Sequence, residues 1–317
     1  MDPGQTIFAV YEFAKEYLKA GYTTIRDCGS PHNSAVAVRD AIKAEIIDGP
    51  RIITSGLIIT PTETGNKSYE NLYHEADGAE EIRKAVRHEL KLENDFIKLM
   101  VTGAFLNERG EPGLQIMTFE ELKVAVESAR IKETYVCAHC HSAEGIKSAI
   151  RAGARTIEHA VFIDEEAIEM LKNSTETYIV ATGAITLDCL KEDNTTISAN
   201  ALEKSKLYEQ KEKECIHNAY KAGLKIGFGS DLNLVSFKET PGYEFIARKD
   251  YYGFEDKDIL LQATKYSAEI AGLDHITGTV KVGKYADLIV VDGNPDEDIY
   301  TMKKPILNVF KEGKQII

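Results

Sequence analysis

Apolar runs of strand length alternate with stretches of helical period along almost the whole chain, and few folds accept that order. Strand-like runs rich in β-branched residues fall at 23–28, 51–56, 95–101, 135–140, 156–160, 177–182 and 225–230. Patterns of helical period lie between them, near 5–20, 33–47, 78–93, 118–132, 143–152, 164–173 and 198–222, with another near 255–272. Turn signals mark the junctions at Asp48-Gly49-Pro50, Gly153 and Gly223. Strict alternation of this kind implies a parallel sheet with helices outside it. The expected fold class is α/β: a (β/α)8 TIM-like barrel lacking its first strand, since seven strands of this type are present. The tail changes character. Gly278–Lys284, Ala286–Asp292 and Val309–Ile316 read as short strands with hairpin-like glycines and no helix between them. The expected division is a barrel over 1–273 and a remnant of a small β-sandwich over 274–317.

Four polar residues interrupt the apolar strand runs: Lys98, His139, His159 and Asp231. Lys, His and Asp are rarely buried without partners. In a parallel barrel the C-terminal strand ends form the active face, and all four residues fall at or near those ends. Side chains alternate along a strand, so Phe96, Lys98 and Met100 share one face. One Lys, two His and one Asp on separate strands form a ligand set suited to a two-metal hydrolase. His139 and His159 suit one metal through their imidazole nitrogens. Asp231 would ligate and also take a proton from water whose pKa the metal lowers, then pass it to a departing amine. An inward Lys98 has two ways to avoid an isolated buried charge. It can lose its proton and become a carboxylated, metal-bridging lysine, or it can stay an ammonium paired with Asp231 or Glu158. His141, two residues past His139, faces the same side nearer the mouth and is a candidate substrate contact. Glu158 neighbours His159 in sequence and should face the helices. His32, His74, His88, His217 and His275 read as loop or helix residues outside the chemistry.

Composition narrows the partners. Thirty-eight Lys and Arg against 51 Asp and Glu give a net charge of −13, which argues against nucleic acid or an anionic membrane as partner. No apolar run approaches the roughly 20 residues needed to span a bilayer, and the start lacks a basic-then-apolar leader. Five scattered Cys (28, 137, 140, 189, 215) read as free thiols of a cytoplasmic protein. Cys137 and Cys140 form a CxxC, but on an extended strand residues three apart point to opposite faces and cannot close on one metal.

Six stretches, in order, resemble the amidohydrolase superfamily, particularly its imidazolonepropionase-like and Xaa-Pro-dipeptidase-like branch. They are Ala20–Asp27, Asp95–Lys98, Ala138–His141, Gly153–Ala160, Gly229–Asp231 and Gly278–Val290. The resemblance implies a metal-dependent hydrolase with a carboxylated Lys98 between two divalent ions, usually zinc. It places His139 and His159 on one ion and makes Asp231 both ligand and base. Family members also carry a first strand ending in His-x-His, and this chain has no His before His32. The site therefore holds one or two ions, and the absent strand leaves two open sheet edges, which favour a homo-oligomer or a complementing N-terminal chain. Loops at 102–117, 183–197 and 232–253 should line the pocket, with Tyr243 and Glu244, and also Arg248, as polar substrate contacts. The loop Thr60–Ser68 departs from the family pattern, so no substrate contact carries over to it. The expected activity is hydrolysis of an amide bond in a dipeptide, N-acyl amino acid or cyclic amide. Two rivals stand beside it: an inactive or split-enzyme fragment binding one metal or a partner chain, and a mononuclear deaminase of the same superfamily, which a bridging Lys98 disfavours.

Overall fold

The structure, a computed structural model, describes residues 2–69, 71–107 and 109–317. It opens with α1 (Pro3–Lys19), β1 (Thr24–Asp27), α2 (Ser34–Lys43), β2 (Arg51–Thr54), β3 (Ile58–Thr60), β4 (Tyr73–Glu75) and α3 (Gly78–Lys91). Regular alternation follows: β5 (Ile97–Met100), α4 (Phe119–Arg130), β6 (Val136–Cys140), α5 (Ala143–Ala152), β7 (Thr156–His159), α6 (Glu165–Lys172) and β8 (Tyr178–Ala181). Then come α7 (Gly183–Cys189), α8 (Ala199–Lys221), β9 (Ile226–Phe228), α9 (Leu234–Glu239) and α10 (Tyr243–Ile246). The helix expected near 255–272 is α11 (Asp256–Leu261), a π turn over Gln262–Tyr266 and α12 (Ser267–Ala271).

The central sheet is parallel, with strand order β4-β3-β5-β6-β7-β8-β9, while β1 and β2 pair separately and also in parallel. The expected strand 51–56 thus ends early as β2, and β3, which was not expected, follows it. Gly56 sits at the break with φ +67, and a Cβ there would lie 2.1 Å from Asn33 Oδ1. The left-handed turn it allows ends the ladder with β1 and begins the one with β5. Strands β3 and β4 are three residues each, too short to register as periodic runs. Among the described residues β1 and β9 share no ladder, and aromatic contacts span the distance between them, with the Tyr17 and Phe237 rings 4.1 Å apart and the Tyr22 and Phe228 rings 6.5 Å apart.

Local sequence sets where strands stop. Thr118 and Glu121 form a reciprocal capping box that starts α4, and Ser142 caps α5 directly after β6. Gly153, at φ +88, closes α5 so that β7 can begin. The outward strand residues Ile97, Leu99, Ala138, Cys140, Ile157, Ile179 and Ile226 join Ile82, Val86, Leu122, Val126 and Ile146 from the helices in one buried core. Alternation then leaves the other strand face for the site.

At the end of the chain, β10 (Leu288–Val290), β11 (Asn308–Lys311) and β12 (Lys314–Gln315) form an antiparallel sheet. The expected strand at Gly278–Lys284 is instead a turn. Lys284 Nζ donates to Thr277 O (2.9 Å) and Thr279 Oγ1 (2.7 Å), which folds the segment onto itself. Among the described residues no helix is long and apolar enough to cross a membrane.

Candidate metal-dependent active site

A cavity of about 1280 Å3 takes in Lys98, His139, His141, Glu158, His159 and Asp231 at the C-terminal ends of the central strands and runs on past β1 to the segment around Tyr285 and Asp287. Alternation accounts for most of them. Lys98 and Met100 line the cavity while Ile97 and Leu99 join the helix-facing core. The same period sends Cys137, His139 and His141 inward and Cys140 outward. The CxxC therefore cannot close on one ion, and all five Cys are free.

His159 breaks the period. By alternation with Ile157 it belongs on the outer face, but its φ is +70, and Ala160 follows at +55. The left-handed turn swings the ring back over the strand end, where Nδ1 lies 2.8 Å from Thr182 Oγ1. The ring centroids of His139 and His159 are 4.6 Å apart, those of His139 and His141 4.5 Å, and those of His141 and His159 5.0 Å. His141 is not at the mouth. It is buried against Phe105, and its Nδ1 has no hydrogen-bond partner. Burial, with the neighbouring Lys98, pushes the His141 imidazole down to about 3, and His139 and His159 lie well below the ordinary histidine range for the same first reason. The three rings are uncharged at neutral pH, so their nitrogen lone pairs are available.

Glu158 corrects the expectation that it faces the helices. It pairs in register with His139 and lies inside, where Arg26 Nη2 grips both carboxylate oxygens at 2.8 and 3.0 Å. Burial raises a carboxyl, but the Arg26 guanidinium and Lys98 outweigh it and hold Glu158 below the usual range. Sequence reading assigned Arg26 no role and turned Glu158 toward the helices. The available signal was the period itself, because Thr156 and Glu158 share a face and Arg26 donates to both. Cys28 was also unforeseen: its Sγ lies 3.8 Å from Cys137 Sγ, beneath Lys98.

Lys98 is buried yet makes no hydrogen bond or ion pair among the described residues. Burial disfavours its ammonium, but the Cys137, Cys28, Glu158 and Asp231 side chains around it more than compensate and lift its pKa. Asp231 sits at φ +53 past the end of β9, with its side chain exposed toward the cavity. The surrounding protein raises its carboxyl to about 6, against the pull of Lys98.

Tyr243 and Glu244 do not line this cavity. Glu244 is buried and accepts from the backbone N–H of Ala184 (2.8 Å) at the start of α7 and from Arg248 Nε (2.7 Å). Tyr243 packs beside Lys191, 5.0 Å from its ring centre. Residues 183–197 and 232–253, expected as loops, carry α7, α9 and α10, and this turns those polar groups inward to satisfy helix ends.

Two trios of His, Cys, Asp or Glu have donor atoms all within 4.8 Å of one another among the described residues: Cys28, Cys137 and Glu158, and His74, His88 and Glu89. The expected ligands His139, His159 and Asp231 face one cavity without closing to that spacing.

Comparison with known proteins identifies the lineage. The sequence profile of the Amidohydrolase family matches residues 1–316. The ochratoxinase of Aspergillus niger is 28% identical over 94% of this chain, and the chain spans 66% of the length of that curated relative. The crystal structure of a Xaa-Pro dipeptidase with bound methionine in the active site superposes with a TM-score of 0.87 at 30% identity, over 98% of this chain and 78% of that one. A prolidase complexed with N-methylphosphonate-L-proline gives 0.85 at 27%, over 100% and 82%. A profile matched across the chain and a superposition that extends through the site leave one assignment: the chain belongs to the amidohydrolase family.

Proposed function

We propose that the chain is a metal-dependent hydrolase of amide bonds, acting on a dipeptide, an N-acyl amino acid or a cyclic amide. The observation that carries this reading is the cluster of three uncharged histidines, His139 and His141 buried and His159 half-buried, that share one cavity with Lys98 and Asp231. The residues fit a divalent metal, with zinc the best match to the donors. Neutral imidazoles offer lone pairs, His141 Nδ1 is buried without a partner, and Lys98 is unpaired. His139, His159 and Asp231 would hold it, with Lys98 bridging to a second ion if carboxylated. Such an ion supplies polarisation of a carbonyl and a water of lowered pKa.

The chain's own groups supply the rest. Asp231 would take the proton from the attacking water and pass it to the leaving amine. Thr182 fixes the His159 ring through Nδ1, which leaves Nε2 as the donor to a ligand. Arg26 neutralises Glu158, so that Asp231 is the carboxylate free to act. Phe105, Leu106, Tyr69, Ile185 and Leu232 wall the cavity with apolar surface, which excludes water and favours an apolar acyl or side-chain group. The likeness to a Xaa-Pro dipeptidase supports a dipeptide as the first substrate to try.

Asp231→Asn should lower turnover of Xaa-Pro dipeptides or N-acyl amino acids by about 100- to 10,000-fold with an unchanged circular dichroism spectrum. Near-normal turnover removes Asp231 from this role. A second reading, binding of one ion without turnover, is favoured by the open spacing of His139, His159 and Asp231. Elemental mass spectrometry that compares the chain with His139→Gln/His159→Gln separates the two: loss of about two divalent ions on that change supports the hydrolase site, whereas loss of a single ion, with no turnover of the unsubstituted chain on the substrate panel, supports the second reading.

A further inference from the structure

We propose that His74, His88 and Glu89 form a separate divalent-metal site, of the zinc type, between β4 and α3. Two imidazole nitrogens converge on one carboxylate oxygen: His74 Nδ1 lies 2.9 Å and His88 Nδ1 3.3 Å from Glu89 Oε1. The donor atoms of the three residues all lie within 4.8 Å of one another. Zinc bonds of about 2.0–2.1 Å at tetrahedral angles put neighbouring donors roughly 3.3–3.4 Å apart, so small side-chain shifts seat an ion. Two nitrogens and one oxygen form a three-ligand zinc set with one position left for water.

The carboxylate is held ready. Glu89 is 0% exposed, and its other oxygen accepts from Asn94 Nδ2 (3.0 Å) and the Leu57 backbone N–H (3.3 Å). Those bonds fix the carboxylate so that Oε1 alone faces the imidazoles, which is how outer partners orient metal ligands. His88 is 53% exposed and gives an ion a path in from solvent. None of the three residues lines the large cavity, so the site is distinct from the Lys98–Asp231 cluster.

Its place in the fold gives it a role. His74 lies on β4 next to Tyr73, and the segment from β3 to β4 brings Tyr69, Leu72 and Tyr73 to the cavity wall. An ion shared by β4 and α3 pins that segment to the helix and, through Glu89 and Leu57, to the start of β3. The site therefore acts as a structural clamp on one wall of the substrate cavity.

His88→Gln tests this, because His88 is largely exposed and its loss opens no core. After dialysis against Zn2+ and removal of loosely bound ion, elemental mass spectrometry should find one zinc fewer per chain in His88→Gln than in the unsubstituted chain; equal zinc content overturns the proposal. The second measurement uses His139→Gln/His159→Gln, in which both cavity histidine ligands are removed. Added Zn2+ should raise its unfolding temperature, and the further change His88→Gln should weaken the apparent zinc affinity by at least about tenfold. A rise of equal size with and without His88, or no rise together with equal zinc content, overturns the proposal and leaves the trio a hydrogen-bonded cluster only.

Discussion

Two buried cations, Arg248 and Lys98, meet opposite surroundings. Arg248 is 0% exposed, and each edge of its guanidinium has a partner. Nε donates to Glu244 (2.7 Å), Nη1 to Gln262 Oε1, and Nη2 to the carbonyls of Ala181 (2.7 Å) and Gly227 (2.8 Å). The ring of Phe228 lies 4.7 Å away. Lys98, also buried but on the cavity wall, has no hydrogen-bond or ion-pair partner for its side chain among the described residues and shares the cavity with three neutral histidines. A satisfied buried charge ties elements together; here it joins the ends of β8 and β9 to α10 and the π turn. A buried cation without a direct partner, facing a cavity among other titratable groups, marks a place where chemistry can use it. Stability should therefore depend on Arg248 and activity on Lys98.

The largest expected effect separates the two. Arg248→Met leaves Glu244 buried without its cation and should cost about 3–5 kcal/mol in chemical denaturation. Changing Glu244→Gln as well should recover part of that loss, since the stranded charge is then gone. A cost below about 1 kcal/mol for Arg248→Met would remove the contrast.

Acid unfolding of the metal-free chain should be next in size. Histidines of the unfolded chain titrate near 6.5, whereas His141 in the fold titrates at about 3. Protons thus bind the unfolded state first. The contribution of His141 is complete above pH 6.5 and is lost as pH falls toward 3, by about 1.4 kcal/mol per pH unit. His141→Phe should flatten the pH dependence of stability by that slope while keeping the contact with Phe105. An unchanged slope would mean His141 is not held neutral by burial.

The smallest effect on stability should come from Lys98→Met. An unpaired buried ammonium is replaced by an apolar chain of similar length, so the unfolding free energy should change by less than about 1.5 kcal/mol, while amide hydrolysis is lost. Recovery of activity on adding a short carboxylic acid to Lys98→Ala would sharpen the comparison further, by pointing to a carboxylated lysine.

How far the sequence reached follows from which signals are local. The run of strands and helices from β5 to β9 was readable because period 2 and period 3.6 are properties of short windows, and because caps such as Thr118, Ser142 and Gly153 sit at the junctions. The same period placed Lys98, His139 and His141 on the inner face. It failed at β3 and β4, which are too short to show a period, and at 183–197 and 232–253, where short helices read as loops.

The sequence by itself determined the alternating architecture, the inward face of each long strand and the family to which the motifs belong, because each depends on residues within a few positions of one another. Only the tertiary structure decided how those faces are used. The sign of φ at His159 turns its ring into the cavity, Arg26 crosses from another strand to neutralise Glu158, and Gly56 turns the chain out of the ladder of β2 with β1 and into that of β3 with β5. It also drew Glu244 into a buried pair with Arg248 rather than to the cavity. These outcomes rest on partners tens or hundreds of residues away, or on a single backbone angle, and neither leaves a periodic trace in the chain.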